Sequence, residues 1–368
     1  MKTFLVTGPT GSIGKEVINE LLSREENIRI KVLELRNNKT KKILGKYKNK
    51  IEIVWGSITD QETVDNAVKD VDFVIHLAAV IPPLADENQK LTDKVNVGGA
   101  ENLTSALKDY APNAFIIFTS SIAVYGDRLK DYWIKVGDPL ISSKWDYYAQ
   151  TKIIAEDIIK KSKLDYTIFR LTGVMGSPKI DPLLFHMPLD TRFEIATTRD
   201  VAFALVEATN HQIELNKNIY NLAGGKQSRV VYKDFLKENF SIYGLNFNDV
   251  PSSAFAKRNF HCGYYSDTDI LNNILHFQRD DLKSYYDITR ASTNKIKVFF
   301  TKVLSKIIVK LLVSKSEPFN AFKDGDELLI KRFYFSEKED KKIISDTILK
   351  GKELLANIAK NYLKKNKK

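Results

Sequence analysis

The sequence predicts an α/β protein built on a doubly wound parallel sheet, with a smaller substrate lobe and a basic, mostly helical C-terminal extension. Three observations predict it. Short apolar runs alternate with helical stretches through the first 170 or so residues. The runs are nearly continuous in Val, Ile, Leu and Phe, as in strands covered on both faces. A glycine-rich turn closes the first run and opens the first helix.

The elements follow in order. Residues 4–6 form a short apolar strand that stops at Gly8. Residues 12–23 have helical spacing, with Ile13, Val17, Leu21 and Leu22 on one face. Strands are expected at 28–33 and 51–55, and a helix over 60–69 capped by Thr59 or Asp60. A fourth strand is expected at 72–77, a long helix over 89–109 and a fifth strand at 114–119. A helix over 147–162 and a sixth strand at 166–171 complete the alternation. The domain reading is 1–172 as a core, 173–289 as a segment completing the core and forming the substrate lobe, and 290–368 as the extension. Two stretches, 173–194 and 226–289, are expected to build the lobe. Ligands in such sheets sit at the carboxyl ends of the strands, where strand order reverses.

The chain has 368 residues, 43% of them apolar and 28% charged. Disorder as the main state is excluded, because this composition can bury a sizeable core. Cys262 is the single cysteine. A disulfide framework is therefore ruled out, and a reducing, cytoplasmic setting is expected. No Cys/His cluster has zinc spacing, so no metal site is expected. The chain runs from Met1 and Lys2 directly into the first strand, too soon for a signal-peptide core. No apolar stretch is long enough to span a bilayer. The net charge of +11 is carried by residues 290–368, which hold 20 Lys/Arg against 9 Asp/Glu, while the first 289 balance at 37 each. A basic region of this kind can meet lipid, nucleic acid or an acidic partner.

The first chemical signal is Thr7-Gly8-Pro9-Thr10-Gly11-Ser12-Ile13-Gly14. Gly8 permits the tight turn, Gly11 lets backbone approach a pyrophosphate, and Gly14 allows close helix–sheet packing. The following helix offers free N–H groups and its positive dipole end to phosphates. Thr10, Gly11, Ser12 and Ile13 are therefore candidate cofactor contacts along with the outer glycines. Tyr148 and Lys152 are four apart and share one helical face. A free tyrosine, with a pKa of about 10, is a poor base at neutral pH. A nearby ammonium favours the phenolate. Ser121, at the end of the fifth strand, can donate to a substrate oxygen. A second Tyr-x-x-x-Lys match at Tyr334 and Lys338 has no such strand end before it and is read as chance.

Further motifs follow in order: His76-Leu77-Ala78-Ala79, Asn96-Val97-Gly98-Gly99, Thr119-Ser120-Ser121, Val124-Tyr125-Gly126, Tyr148-Ala149-Gln150-Thr151-Lys152 and Arg170-Leu171-Thr172-Gly173. Together with the G-x-x-G-x-x-G turn, this set resembles the extended short-chain dehydrogenase/reductase family, the NAD-dependent epimerase/dehydratase type, over about residues 1–230. The resemblance implies a Rossmann core, and an NAD- or NADP-dependent oxidoreductase or epimerase. It makes Tyr148 the proton donor or acceptor, Lys152 the holder of the nicotinamide ribose, and Ser121 the group that orients the reacting alcohol or carbonyl. It adds Leu77, Ala78, Ala79, Asn96 and Thr119 to the cofactor contacts.

At the end of the second strand, Glu34 can accept hydrogen bonds from the adenosine ribose and repel a 2′-phosphate, which favours NAD. Arg36, Lys39, Lys41 and Lys42 follow and suit NADP. After the third strand, Ser57 stands where the family usually has an acidic residue, and Ile58 is expected against the adenine. Ser121-Ile122-Ala123 lacks the Thr-Asp-Glu of nucleotide-sugar dehydratases, which argues against dehydration. The Thr-Gly-Val-Met-Gly run at 172–176 looks more like the hydroxysteroid-dehydrogenase branch. The reading is hydride transfer at an alcohol or ketone carbon. The alternatives are a nucleotide-sugar epimerase that retains NAD and a non-catalytic nucleotide-binding protein.

Arg192 is a candidate for holding a substrate phosphate or carboxylate, weighed against a structural ion pair. Arg199 and Asp200 read as a cap and salt bridge. The other histidines show no catalytic spacing, and Cys262 reads as structural. In 295–315, Lys302, Lys306 and Lys310 recur every four residues among Phe299, Phe300, Val303, Leu304, Ile307, Ile308, Leu311 and Leu312. This pattern fits a helix lying in a membrane interface, and equally one docked on the body or on a second subunit of a homodimer. No basic groove interleaved with aromatics suggests nucleic acid. Residues 316–326 read as a loop, 327–335 as a strand or helical turn, and 336–368 as a lysine-rich helix.

Overall fold

The computed structural model describes residues 1–24, 27–143, 145–176 and 182–335. Seven parallel strands form the main sheet: β1 Lys2–Thr7, β2 Ile28–Glu34, β3 Glu52–Trp55, β4 Phe73–His76, β5 Phe115–Ser121, β6 Asp165–Leu171 and β7 Asn218–Leu222. Their order across the sheet is β7-β6-β5-β4-β1-β2-β3. The register sets Val6 beside Val32 on one side and Ile75 on the other. Chain direction across the sheet reverses between β1 and β4, which makes their carboxyl ends the switch point.

Burial alternates along the strands because successive side chains face opposite sides. Val6, Val32, Ile75, Ile117 and Phe169 join one core layer with Val17, Ile18 and Leu21 of the helix Ser12–Ser23 and Val201 and Leu205 of the helix Thr198–Glu207. Leu5, Leu33, Val74, Ile116, Phe118 and Ile168 join the other layer. That layer is covered by the helices Gln61–Val68, Gly98–Tyr110 and Tyr147–Lys161. This explains the near-continuous apolar runs: both faces of each central strand are covered.

The chain divides into two compact units. Among the described residues, the first holds those of 1–176, 193–229 and 261–285; the second holds 182–192, 230–260 and 286–335. The middle segment, 173–289, is thus shared between the units, part of it completing the first and part of it belonging to the second. Residues 218–222 supply β7 to the main sheet, and 198–207 cover it. The residues from 290 to 335 belong to the second unit and are not a separate extension. The second unit has its own aromatic core, with Phe185 against Phe255 at 5.2 Å and Phe240 edge-on to Phe247 at 5.4 Å.

Several elements differ from the sequence expectation. The stretch 89–109 is not one helix: Gln89–Thr92 passes through a π-helical turn, Asp93–Val97, into Gly98–Tyr110. The lysine-rich stretch after Arg36 contains a helix, Asn38–Leu44, started by a capping box in which Asn37 and Thr40 satisfy each other's backbone. Residues 295–315 form two helices, Lys295–Val303 and Ser305–Val313. The break falls where buried Ser305 accepts the Asn246 N–H at 3.0 Å. The expected loop 316–326 holds the helix Glu317–Asp324, capped by Ser316 with Pro318 in its first turn. Glu327–Tyr334 is helical. The helix expected over 336–368 lies outside the described residues.

Candidate active site

The glycine turn fits a phosphate cradle in its details. Gly8 has a φ of +69°, a left-handed conformation that glycine adopts without steric cost. A Cβ on Gly14 would lie 2.3 Å from the Gly8 carbonyl oxygen, so only glycine lets the first helix start this close to the turn. That helix begins after Gly11 with no side chain capping it, which leaves its first N–H groups available to an anion.

A cleft of about 700 Å³ opens from this turn within the first unit. Gly8, Thr10, Gly11, Ser12, Ile13 and Gly14 form one end, and Glu34, Ser57 and Ile58 line it beside them. Leu77, Ala78, Ala79 and Thr119 continue the lining to Ser121, Tyr148 and Lys152. Residues as far apart in sequence as Gly8 and Lys152 therefore share one cavity at the carboxyl ends of the strands.

Glu34 is held at the end of β2. One carboxylate oxygen accepts the Thr10 hydroxyl at 2.6 Å and the Thr10 N–H at 3.3 Å, and the other accepts the Leu35 N–H at 2.9 Å. Arg36 is exposed and does not line the cleft. Lys39, Lys41 and Lys42 belong to the capped helix that follows. Ile58 is buried and packs against Gly99, and Asn102 donates to its carbonyl at 3.0 Å.

Asn96 stands apart from the lining. It is buried, accepts the Val80 N–H at 2.7 Å and donates to the Val80 carbonyl and to Thr151 at 3.0 Å each. It fastens the loop after β4 to the helix bearing Tyr148, and the π-helical turn brings it there. Arg192 heads the strand Arg192–Thr197 and is likewise absent from the cleft lining. Arg199 pairs with Asp280 at 2.5 Å, and Asp200 accepts the Asp280 N–H at 2.9 Å, so both are structural as expected.

The reactive end is tightly built. Asp146 caps the helix Tyr147–Lys161 by accepting the Ala149 N–H at 2.8 Å, and it pairs with His261 at 2.5 Å. Tyr148 hydrogen-bonds Ser121. Burial pushes the Tyr148 phenol up, the Ser121 bond draws it part of the way back, and the Asp146 carboxylate raises it again. The lowering expected from Lys152 is not seen, because its ammonium faces the Tyr148 ring, 5.7 Å from the centroid, and donates to the Thr119 carbonyl at 2.8 Å. Burial lowers Lys152 to about 8, opposed by Glu156 one turn on. The buried His76 sits beside β1, 2.7 Å from the Thr7 hydroxyl, and burial with the nearby Lys152 charge lowers it to about 3. It is neutral at physiological pH. Cys262 is buried with its thiol pushed up, as a structural residue would be.

Three features lie outside the site residues expected from the sequence. Thr7 accepts the Leu77 N–H at 3.2 Å and the Ala78 N–H at 3.1 Å, joining the glycine turn to the loop after β4. Glu156 and Arg170 form a buried ion pair under the reactive end. Finally, Val80, Ile81, Leu84, Leu91 and Val95 add an apolar wall to the cleft. Among the described residues no group of acidic, histidine or cysteine side chains could hold a metal ion.

The sequence model of the 3-beta hydroxysteroid dehydrogenase/isomerase family matches residues 5–167. Over those residues, somewhat under half of the chain, the sequence is similar to that family. An uncharacterised membrane protein of Methanocaldococcus jannaschii is 34% identical over 125 residues, 33% of this chain and 37% of that one. A 3 beta-hydroxysteroid dehydrogenase/Delta 5→4-isomerase of Mycobacterium tuberculosis is 29% identical over 163 residues, 42% of this chain and 41% of that one. The chain thus spans about two-fifths of the length of these relatives. Among solved structures, the UDP-N-acetylglucosamine 4-epimerase of Methanobrevibacter ruminantium superposes with a TM-score of 0.64 at 18% identity, covering 82% of this chain and 99% of that one. That likeness shows a shared fold. The match over 5–167 ends early in β6 and contains the glycine turn, Ser121, Tyr148 and Lys152.

Proposed function

We propose that this protein is an NAD-dependent oxidoreductase acting at an alcohol or ketone carbon of an apolar small molecule. The observation that carries the reading is one cavity joining the glycine turn to the hydrogen-bonded Ser121–Tyr148 pair and Lys152. The turn and the uncapped helix start would hold the pyrophosphate, and Glu34 would hold the adenosine ribose. Glu34 lines the cleft and Arg36 does not, which supports NAD over NADP. When bound, the cofactor supplies or takes the hydride.

The chain's own residues handle the proton. In reduction, the Tyr148 phenol gives its proton to the carbonyl oxygen as the carbon gains hydride, and Ser121 donates a hydrogen bond to the same oxygen. A phenol raised by burial is fully protonated at neutral pH, the form a proton donor needs. In oxidation the same group must accept the proton, which its raised pKa makes less accessible at neutral pH. The apolar wall supports an apolar substrate over a nucleotide sugar, whose diphosphate would call for cationic lining.

The test is a panel of apolar ketones with NADH, followed by loss of nicotinamide absorbance. Wild type turns over a member of the panel, and Tyr148→Phe loses about 10³-fold in turnover while binding NADH nearly as well. Turnover undiminished in Tyr148→Phe would remove Tyr148 from the chemistry. NAD retained through purification, with no net ketone reduction, would point to the epimerase instead.

A further inference from the structure

The second unit carries an apolar ridge. Ile296, Phe299, Phe300 and Val303 on the helix Lys295–Val303, with Ile307 and Leu311 on the helix Ser305–Val313, are each 60–70% exposed. Their spacing of three and four residues places them along one side of each helix. The opposite side is already used: Val309, Leu312 and Val313 are buried, and Ser305 holds the Asn246 backbone. Among the described residues, the ridge is thus surplus to the packing of the unit. Six large apolar side chains exposed together exceed the scattered exposure normal for a soluble surface.

Charge selects what covers it. Between Asp287 and Glu317 the chain has seven Lys/Arg and no Asp/Glu. At 100° per residue, Lys295 and Lys302 flank the apolar stripe of the first helix on one side and Lys297 on the other. Lys306 and Lys310 border the stripe of the second helix. A second copy seated on this ridge by two-fold symmetry would set these lysines against their own counterparts. Residues 336–368 hold ten Lys against five Asp/Glu, so they too would bring like charge. An anionic lipid surface meets both demands at once, with headgroups for the lysines and acyl chains for the apolar side chains. No helix among the described residues is long and apolar enough to cross a membrane, so contact would lie in the interface.

We propose that this ridge docks the protein onto anionic lipid membranes, Phe299 and Phe300 entering the acyl boundary and the flanking lysines contacting headgroups. This proposal stands on the second unit alone and is independent of the activity read from the cleft.

The experiment is co-sedimentation of the full chain with phosphatidylcholine vesicles, with and without about 30% phosphatidylglycerol. Binding to the anionic vesicles is expected to be at least about tenfold stronger, and to weaken as salt is raised. Phe299→Ser/Phe300→Ser and Lys302→Glu/Lys306→Glu should each lower it about tenfold or more, with circular dichroism and thermal midpoint unchanged because all four residues are exposed. Absence of wild-type binding to anionic vesicles, or binding that neither variant alters, overturns the proposal. Dimerisation that Phe299→Ser/Phe300→Ser abolishes, with no vesicle binding by the wild type, overturns it in favour of a second copy.

Discussion

Removing the charge of Glu156 tests the physics beneath the reactive end. Glu156 is fully buried and Arg170 is 3% exposed. Arg170 donates to both carboxylate oxygens, at 2.9 and 2.7 Å, and to the Tyr125 hydroxyl at 2.8 Å. The Ser120 hydroxyl donates to Glu156 at 2.5 Å, and Tyr125 donates to Asn221 at 2.9 Å. One network therefore ties β5, the helix of Tyr148, β6 and β7. Glu156→Leu leaves a buried guanidinium without its counter-charge, and a buried pair broken on one side costs about 3–5 kcal/mol. Arg170→Met should cost a similar amount by orphaning the carboxylate. The double variant removes both charges and leaves only the Ser120 and Tyr125 hydroxyls short of a partner, at about 1 kcal/mol each. It should therefore be more stable than either single variant, with a coupling energy of about 4 kcal/mol or more. Denaturant unfolding of the four proteins closes the cycle. Single variants costing under about 1 kcal/mol, or a double variant as unstable as the sum of the singles, would refute the network as described.

Other outcomes follow from the same geometry. Glu156→Gln removes a charge that raises Lys152, so the alkaline limb of turnover should move to lower pH; a limb that stays or rises contradicts the stated cause. Lys152 itself falls from 10.5 to about 8 on folding, so burying its ammonium costs about 3 kcal/mol below pH 8, a penalty relieved as pH rises toward 10.5. Lys152→Met should accordingly be at least as stable as wild type at pH 7 although inactive, which thermal unfolding at several pH values would check. Glu34→Gln keeps an acceptor for Thr10 and removes the charge. NADPH binding should strengthen about tenfold, since the repulsion between like charges at ~4 Å is worth at least ~1 kcal/mol per unit pair even in water. Unchanged discrimination would place the choice elsewhere.

Local signals made much of this molecule legible. The helix Ser12–Ser23 was readable at both ends because the glycine turn starts it and its apolar spacing continues to the last turn. Six strands were readable because burial on both faces leaves runs of apolar residues. The seventh, Asn218–Leu222, hides its pattern: Asn221 is buried but polar, held by Tyr125 and by Asp267. The long helix over 89–109 could not be seen to break, because the cause is a tertiary bond from Asn96 to Val80. The lysines after Arg36 suggested a phosphate site, yet the Asn37–Thr40 capping box beside them marks a helix and was readable. In the cleft, residues on turns and strand ends came from motifs, whereas the apolar wall from Val80 to Val95 is assembled by the fold and has no motif. The reversal at Tyr148 has the same origin: burial is a property of the packed helix, and the sequence shows only the lysine four residues away.

The central claim is that the cleft of the first unit binds a nicotinamide dinucleotide and prefers the form without a 2′-phosphate. Titration of the purified full chain with NADH and then NADPH, by fluorescence or calorimetry, tests it most directly. The account predicts saturable binding of one NADH per chain with a Kd of about 1–100 μM, and NADPH weaker by about tenfold or more. No saturable NADH binding, or tighter binding of NADPH, would contradict it.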